Sequence, residues 1–187
     1  MILSIKNMVC DRCIFAVKRH LEDLDYTVNQ INLGKVDIVE DLKESELATL
    51  SLSLSILGFE VISNQRERLI EQIKNVIITQ IHHSDLSKLK INYSELLSGH
   101  IQKEYAYLSR IFSETEHNTI EQYIIQQKIE KVKELLEYEE LNLNEISWKM
   151  GYSSSAHLSA QFKKITGLSP IKFKRKSHTD RKSLDRI

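Results

Sequence analysis

One proline and five glycines in 187 residues leave little to interrupt a helix. That scarcity excludes a loop-rich or all-β chain and favours long helices. Two cysteines cannot build a disulfide framework, so a reducing, cytoplasmic setting is expected. No apolar run approaches the ~20 residues that cross a bilayer, and no membrane partner is expected. The opening Met1-Ile2-Leu3-Ser4-Ile5-Lys6 has no basic start leading to an apolar stretch and small-residue cleavage site, so export is not expected. Neither a Gly-rich phosphate loop nor a G-x-S-x-G or H-E-x-x-H motif occurs, and no catalytic function is expected. Net charge is missing too, with 26 Lys+Arg against 26 Asp+Glu. What is present, 41% apolar and 28% charged residues, is a globular composition. It suffices for one ordinary domain or two small ones.

The neutrality is regional. Residues 1–63 carry net −4, 64–90 net +2, 91–140 net −5 and 141–187 net +7. A strongly basic C-terminal quarter is therefore hidden by acidic segments before it.

Residues 1–63 read as mixed α/β. Leu3 and Ile5 open a strand, and Ile14, Val17, Leu21 and Leu24 then recur on one helical face. Thr27, Asn29, Ile31 and Leu33 alternate, Gly34 breaks the run and Val36–Val39 resumes it, which predicts two strands and a tight turn. Leu47, Leu50, Leu54 and Leu57 form a second helical face, with Gly58 suited to the C′ cap and Phe59 following it. Phe59–Ile62 makes a last strand, and the order β-α-β-β-α-β describes a ferredoxin-like sandwich.

Beyond Asn64 the period is helical. Leu69, Ile73, Val76, Ile77 and Ile81 predict a helix that links the domains or opens the second, and residues 83–91 are expected as a loop. An internal repeat follows. At an offset of 50, Ala106, Leu108, Ser109 and Phe112 match Ala156, Leu158, Ser159 and Phe162, while Thr119 pairs with Ser169 and Tyr123 with Phe173. With one residue of slack, Leu97 and Ile101 match Ile146 and Met150. Each copy reads as helix, turn, helix. Between them Ile125, Ile129, Val132 and Leu136 predict one long amphipathic helix. Such units present a second helix to a DNA major groove. About 20 connecting residues span roughly 30 Å, close to the ~34 Å between successive major-groove faces. A helical bundle with an accidental repeat remains the alternative on periodicity alone.

The run Gly151-Tyr152-Ser153-Ser154-Ser155-Ala156-His157-Leu158-Ser159-Ala160-Gln161-Phe162-Lys163-Lys164-Ile165-Thr166-Gly167-Leu168-Ser169-Pro170 resembles the signature of the AraC-type DNA-binding domain. Tyr107-Leu108-Ser109-Arg110-Ile111-Phe112 is similar to that family's first recognition helix. Lys128-Ile129-Glu130 and Val132-Lys133-Glu134-Leu135-Leu136 are similar to its linker helix. The resemblance covers roughly residues 65–176 and implies a transcription regulator that reads double-stranded DNA. Gln102 stands where the family usually has a Gly-like residue, and His117 where the second copy has Gly167.

On a helical wheel Leu158, Phe162 and Ile165 face the core. Ser155, Ala156, Ser159, Ala160 and Lys163 then face outward, with Lys164 at the edge. This small-residue face lacks Arg, Asn or Gln for bidentate base contacts. It reads as a backbone-anchoring surface, with Lys163 and Lys164 on phosphates. The equivalent first face is Tyr105, Ala106, Ser109, Arg110 and Ser113, and Arg110 is the candidate for reading guanine. Ser169-Pro170 fits an N-cap with Pro at N1, and Lys172, Lys174, Arg175 and Lys176 add a basic cluster suited to phosphates. The −5 around the first copy predicts weaker DNA binding there than in the second. Two reading heads make a monomer sufficient.

Met8-Val9-Cys10-Asp11-Arg12-Cys13 carries two thiols at a strand-to-helix junction. The run resembles the M-x-C-x-x-C loop of heavy-metal-associated domains, and Leu57-Gly58-Phe59-Glu60 resembles the start of their last strand. Asn7 stands where that family often has Gly. Cys10 and Cys13 near a helix N-terminus suit Cu(I) or another soft ion of low coordination number, or the domain meets a protein partner instead. Zn²⁺ would want four ligands. His20 shares a helical face with Cys13 but lies ~10 Å along it, which suits a surface or core-edge role. Two reduced cysteines without metal remain an alternative. A dithiol enzyme is disfavoured, because a thioredoxin-like site needs a nearby proline and the one proline is Pro170, although Arg12 could lower a thiol pKa.

The expected architecture is an α+β, ferredoxin-like βαββαβ domain over residues 1–63 and a linker or first helix over 64–90. An all-α domain with two helix-turn-helix units joined by a long helix follows over 91–176, then a mobile tail over 177–187. The competing class is a copper carrier with an appended helical interaction domain.

Overall fold

The computed structural model describes residues 1–86, 91–175 and 181–187. Two compact units divide it, Met1–Asn75 and Val76–Ile187.

In the N-terminal unit the order is β1 (Ile2–Lys6), α1 (Asp11–Asp23), β2 (Val28–Asn32), β3 (Lys35–Ile38), α2 (Glu44–Ile56) and β4 (Glu60–Val61). The sheet runs β2-β3-β1-β4, with each neighbouring pair antiparallel. Alternation in β1 turns Leu3 and Ile5 onto Val17, Leu21, Leu50 and Leu54 from the two helices. Burying each such side chain is worth about 1.5–3 kcal/mol. The α2 terminus follows from Gly58 at φ +85°, where the Phe59 N–H reaches the Leu54 carbonyl and the Gly58 N–H the Ser55 carbonyl. This is a Schellman closure. Leu57, expected on the buried face, is the cap residue and 48% exposed.

The strict alternation expected in β2 breaks. Pairing shifts between Val28 and Gln30, a bulge that brings Val28 and Ile31 both against the core although they lie three positions apart. Asn7 occupies the left-handed region at φ +72°. Its side chain holds that bend by donating to the Gly58 carbonyl at 2.9 Å, which is how asparagine substitutes for glycine.

Helix α3 (Gln65–His82) contains the boundary between the units. Its first half belongs with the sheet unit, where Glu71 Oε1 accepts the Asn7 N–H at 3.2 Å. The C-terminal unit continues with α4 (Tyr93–Ile101), α5 (Tyr105–Glu116), α6 (Ile120–Tyr138), α7 (Leu143–Lys149), α8 (Ser155–Thr166) and α9 (Pro170–Arg175). No helix among the described residues is long and apolar enough to cross a membrane.

Helix α6 departs from the amphipathic expectation. Ile124, Gln127, Ile129, Glu130, Val132, Lys133 and Leu136 are all buried, so nearly every side of the helix is covered. The polar members are tolerated because they are paired, as in Lys133 Nζ to Glu130 Oε1 at 2.6 Å. Residues 181–187 also depart from expectation, because they dock on this helix instead of trailing. Arg181 bridges Glu134 at 2.9 Å and Glu137 at 3.6 Å, and the Lys182 N–H donates to Glu130 at 3.0 Å.

Candidate nucleic-acid interface

Two helix-turn-helix modules flank α6. In module one, Asn92 caps α4 by accepting the Glu95 N–H at 2.9 Å. Gln102 closes α4 in the left-handed region at φ +59°, its amide donating to the Gly99 carbonyl. Helix α5 then ends at His117, φ +52°. In module two, Asn142 and Glu145 form a reciprocal capping box on α7. Gly151 at φ +68° ends α7, with the Tyr152 N–H on the Ser147 carbonyl. Ser154 caps α8, and Gly167 at φ +76° closes it. Glutamine and histidine thus adopt in module one the backbone that suits glycine in module two.

Helices α5 and α8 are both twelve residues long, at an offset of 50. Leu108 and Phe112 are fully buried, as are Leu158 and Phe162. The repeat extends to aromatic closure. Phe112 meets Tyr123 at 5.6 Å, and Phe162 meets Phe173 at 5.4 Å between ring centroids. Ile165, expected in the core, is 45% exposed. It sits in the last turn of α8, beyond the Phe162–Phe173 contact.

On the outward side of α5, Ala106 and Arg110 are exposed, Ser109 and Ser113 half-buried. Tyr105 is half-buried, and burial followed by Glu121 pushes its phenol up. The Arg110 guanidinium lies 5.9 Å from the Tyr107 ring centroid, and Lys103 Nζ lies 5.5 Å from the same ring. On α8, Ala156, Ala160, Lys163 and Lys164 are exposed, while Ser155 and Ser159 are half-buried. The Ser159 hydroxyl donates to its own helix at the Ser155 carbonyl, 2.8 Å. Ser169 caps α9 by accepting the Lys172 N–H at 3.3 Å. Lys172 and Arg175 are exposed, and Lys174 pairs with Glu139 at 3.4 Å. Lys176 lies outside the described residues.

Sequence reasoning missed the aromatic supports. Tyr107 underlies Arg110, and Tyr93 and Tyr152 flank Lys128. The available signal was tyrosine spacing: Tyr107 lies three residues before Arg110, one helical turn.

The thiol pair lies in the N-terminal unit. Cys10 occupies the N-cap of α1, and its Sγ is 3.6 Å from that of Cys13. Burial pushes the Cys13 thiol up, against the hydrogen bond of the Val9 backbone. His20 Nε2 instead bonds Ser53 Oγ at 3.0 Å, tying α1 to α2.

Two capped helix pairs, each offering a small-residue outer helix, define a tandem helix-turn-helix fold. Residues 97–176 match the family model described as a helix-turn-helix domain, so the C-terminal unit carries a helix-turn-helix domain. The C-terminal domain of AraT, a response regulator from Geobacillus stearothermophilus, is 26% identical with a TM-score of 0.50. The match covers 64% of this chain and 97% of that one. The Msm operon regulatory protein of Streptococcus mutans is 30% identical over 133 residues, covering 69% of this chain and 44% of the relative. The uncharacterized HTH-type transcriptional regulator YdeC of Bacillus subtilis is 21% identical over 157 residues, covering 84% and 53%. The chain spans about half the length of these curated relatives.

Proposed function

We propose that this chain is a sequence-specific, double-stranded-DNA-binding transcription regulator that seats α5 and α8 in successive major grooves. The carrying observation is the pair of equal helices on matching frames, joined by the 19-residue α6. Nineteen residues make a helix about 28 Å long, near the ~34 Å repeat of the duplex. The regulatory names of the relatives support the reading. Arg110, exposed and stacked on Tyr107, is the base reader. Tyr105, Ala106, Ser109, Ser155, Ala156 and Ser159 form close-approach surfaces, and Lys163, Lys164 and Lys172 meet phosphates, with Lys174 joining them only when it leaves Glu139. The test is retardation of duplex DNA at physiological salt, with log affinity falling linearly in log salt. Absence of retardation, or affinity insensitive to salt, refutes it.

The N-terminal unit carries the second half of the proposal. Its βαββαβ order and sheet order support a ferredoxin-like, heavy-metal-associated reading. Two half-exposed thiols 3.6 Å apart fit a soft ion such as Cu(I). Among the described residues no third His, Cys, Asp or Glu joins them, which suits an ion of low coordination number. When bound, the ion would supply charge at the head of α1; Cys10 and Cys13 would hold it. DNA affinity measured with and without Cu(I) tests coupling, because a true effector is bound more tightly or weakly by the DNA complex to the same factor. Thiophilic-ion binding without DNA affinity would instead support a metal carrier.

A further inference from the structure

Helix α6 carries a lysine where a charge is costly. Burial lowers the pKa of the Lys128 ammonium, since removal from water disfavours the charged form. A methionine would fill the same space without that penalty. What a methionine could not do is bind three directional partners. Lys128 Nζ donates to the Met150 carbonyl at 3.1 Å, and lies 5.9 Å from the Tyr93 ring centroid and 5.3 Å from that of Tyr152. Both rings are within cation–π range. Met150 is the C-cap of α7, where a cation also complements the helix dipole.

The three partners come from different modules. Tyr93 is the first residue of α4 in module one. Met150 and Tyr152 flank Gly151 in the turn of module two. The Tyr152 hydroxyl in turn donates to Gln161 Oε1 on α8 at 2.6 Å. The Tyr93 hydroxyl is buried with no hydrogen-bond partner among the described residues, so it is the ring face of Tyr93 that the site uses. One ammonium on the connecting helix thus holds both reading modules.

We propose that Lys128 is a positioning residue that fixes the mutual setting of α5 and α8, so that the two helices engage their half-sites together. The inference rests on the DNA-binding reading above. Its value lies in avidity: two linked heads gain only if geometry allows both to bind at once.

The test has two readouts on the full chain. Spin labels at Glu114→Cys and Lys164→Cys, in a Cys10→Ser/Cys13→Ser background, give the distance distribution between α5 and α8 by double electron–electron resonance. Lys128→Met broadens that distribution, Lys128→Arg restores it, and Tyr93→Phe leaves it narrow. In parallel, a bipartite duplex selected from a random library by the unsubstituted chain, and its two halves as separate duplexes, are titrated at physiological salt. Lys128→Met lowers affinity for the bipartite duplex about tenfold or more, and for each half by less than about twofold. An unchanged distance distribution overturns the proposal, and so does an equal loss on bipartite and half-site DNA. If Lys128→Met fails to fold by circular dichroism, Tyr93→Leu takes its place under the same expectations and refutations. A chain that binds no duplex yet shows the Lys128-dependent distances refutes the DNA reading and leaves the positioning role standing.

Discussion

His82, at the end of α3, makes the stability of the C-terminal unit depend on pH. Its Nε2 lies 2.8 Å from Gln127 Oε1, and Gln127 is fully buried. The Gln127 amide nitrogen donates to the Tyr123 hydroxyl at 2.9 Å and the Leu184 carbonyl at 3.3 Å. A carbonyl can only accept, so the amide nitrogen faces Leu184 and the amide oxygen faces His82. The neutral ring therefore carries its proton on Nε2. Burial lowers the pKa from 6.5 to about 4, against the opposing Gln127 hydrogen bond. Between those values the unfolded chain binds more protons than the folded one, so stability is full above 6.5 and falls on acidification. At about 1.4 kcal/mol per pH unit, the loss reaches about 2 kcal/mol by about pH 5 and about 3 kcal/mol near pH 4. Urea unfolding followed by circular dichroism at about pH 7 and pH 5 measures it. His82→Gln removes the titration and should flatten the difference. Glu134 does not confuse the window. Although burial pushes its carboxyl up, Lys131 and Arg181 prevail and hold it below 4.5, so its contribution is present above 4.5 and is lost only below that value. If His82→Gln and the parent lose equal stability from about pH 7 to pH 5, the buried-histidine argument is wrong.

Three further outcomes are expected. Arg110→Ala should cost about 1–3 kcal/mol on the preferred duplex and relax its specificity; equal losses on preferred and random DNA, by titration, would remove the base-reading role. Gly167→Ala meets only open space at φ +76° and should cost about 1 kcal/mol, the left-handed strain less the unfolded-state entropy gain. Gly34→Ala, whose Cβ would stand 2.2 Å from buried Asn75 Nδ2 at φ +75°, should cost clearly more in urea denaturation, and equal costs would refute the steric reading. Cys10→Ser/Cys13→Ser should abolish anaerobic Cu(I) binding in competition with a chromophoric chelator; undiminished binding would move the site elsewhere.

Much of the fold was legible because its signals are local. Leu50 and Leu54 of the leucine spacing, with Gly58 and Phe59, mark the α2 face and its closure, although Leu57 falls outside that face. The offset of 50 marks two equivalent helices before any packing is known, and both prove twelve residues long. Other features depend on partners distant in sequence. The β2 bulge depends on β3, and the left-handed Asn7 is held by Gly58, 51 residues away. The candidate site divides the same way. Exposure of Arg110 and Lys163 follows from the wheel, whereas the Tyr107 support and the lost hydroxyl of Ser159 need side-chain geometry.

Helix α6 shows why charge arithmetic along a chain misjudges charge in space. Residues 91–140 sum to −5 and residues 141–187 to +7, a contrast that predicts a repelled first module and an anchoring second one. Several of those charges are not free to act on a distant phosphate. Glu130 is spent on Lys133 and the Lys182 N–H, and Glu134 and Glu137 take Arg181 from the basic segment. Lys174 is likewise drawn to Glu139. These cross-segment contacts engage two positive charges of the basic segment, Arg181 and Lys174, against Glu134, Glu137 and Glu139 of the acidic one, and close pairs project little field beyond a Debye length of about 8–10 Å. The two modules therefore differ less in electrostatic pull than their sequences suggest, and the acidic segment that contains α5 counts less against the proposed sharing of a duplex with α8.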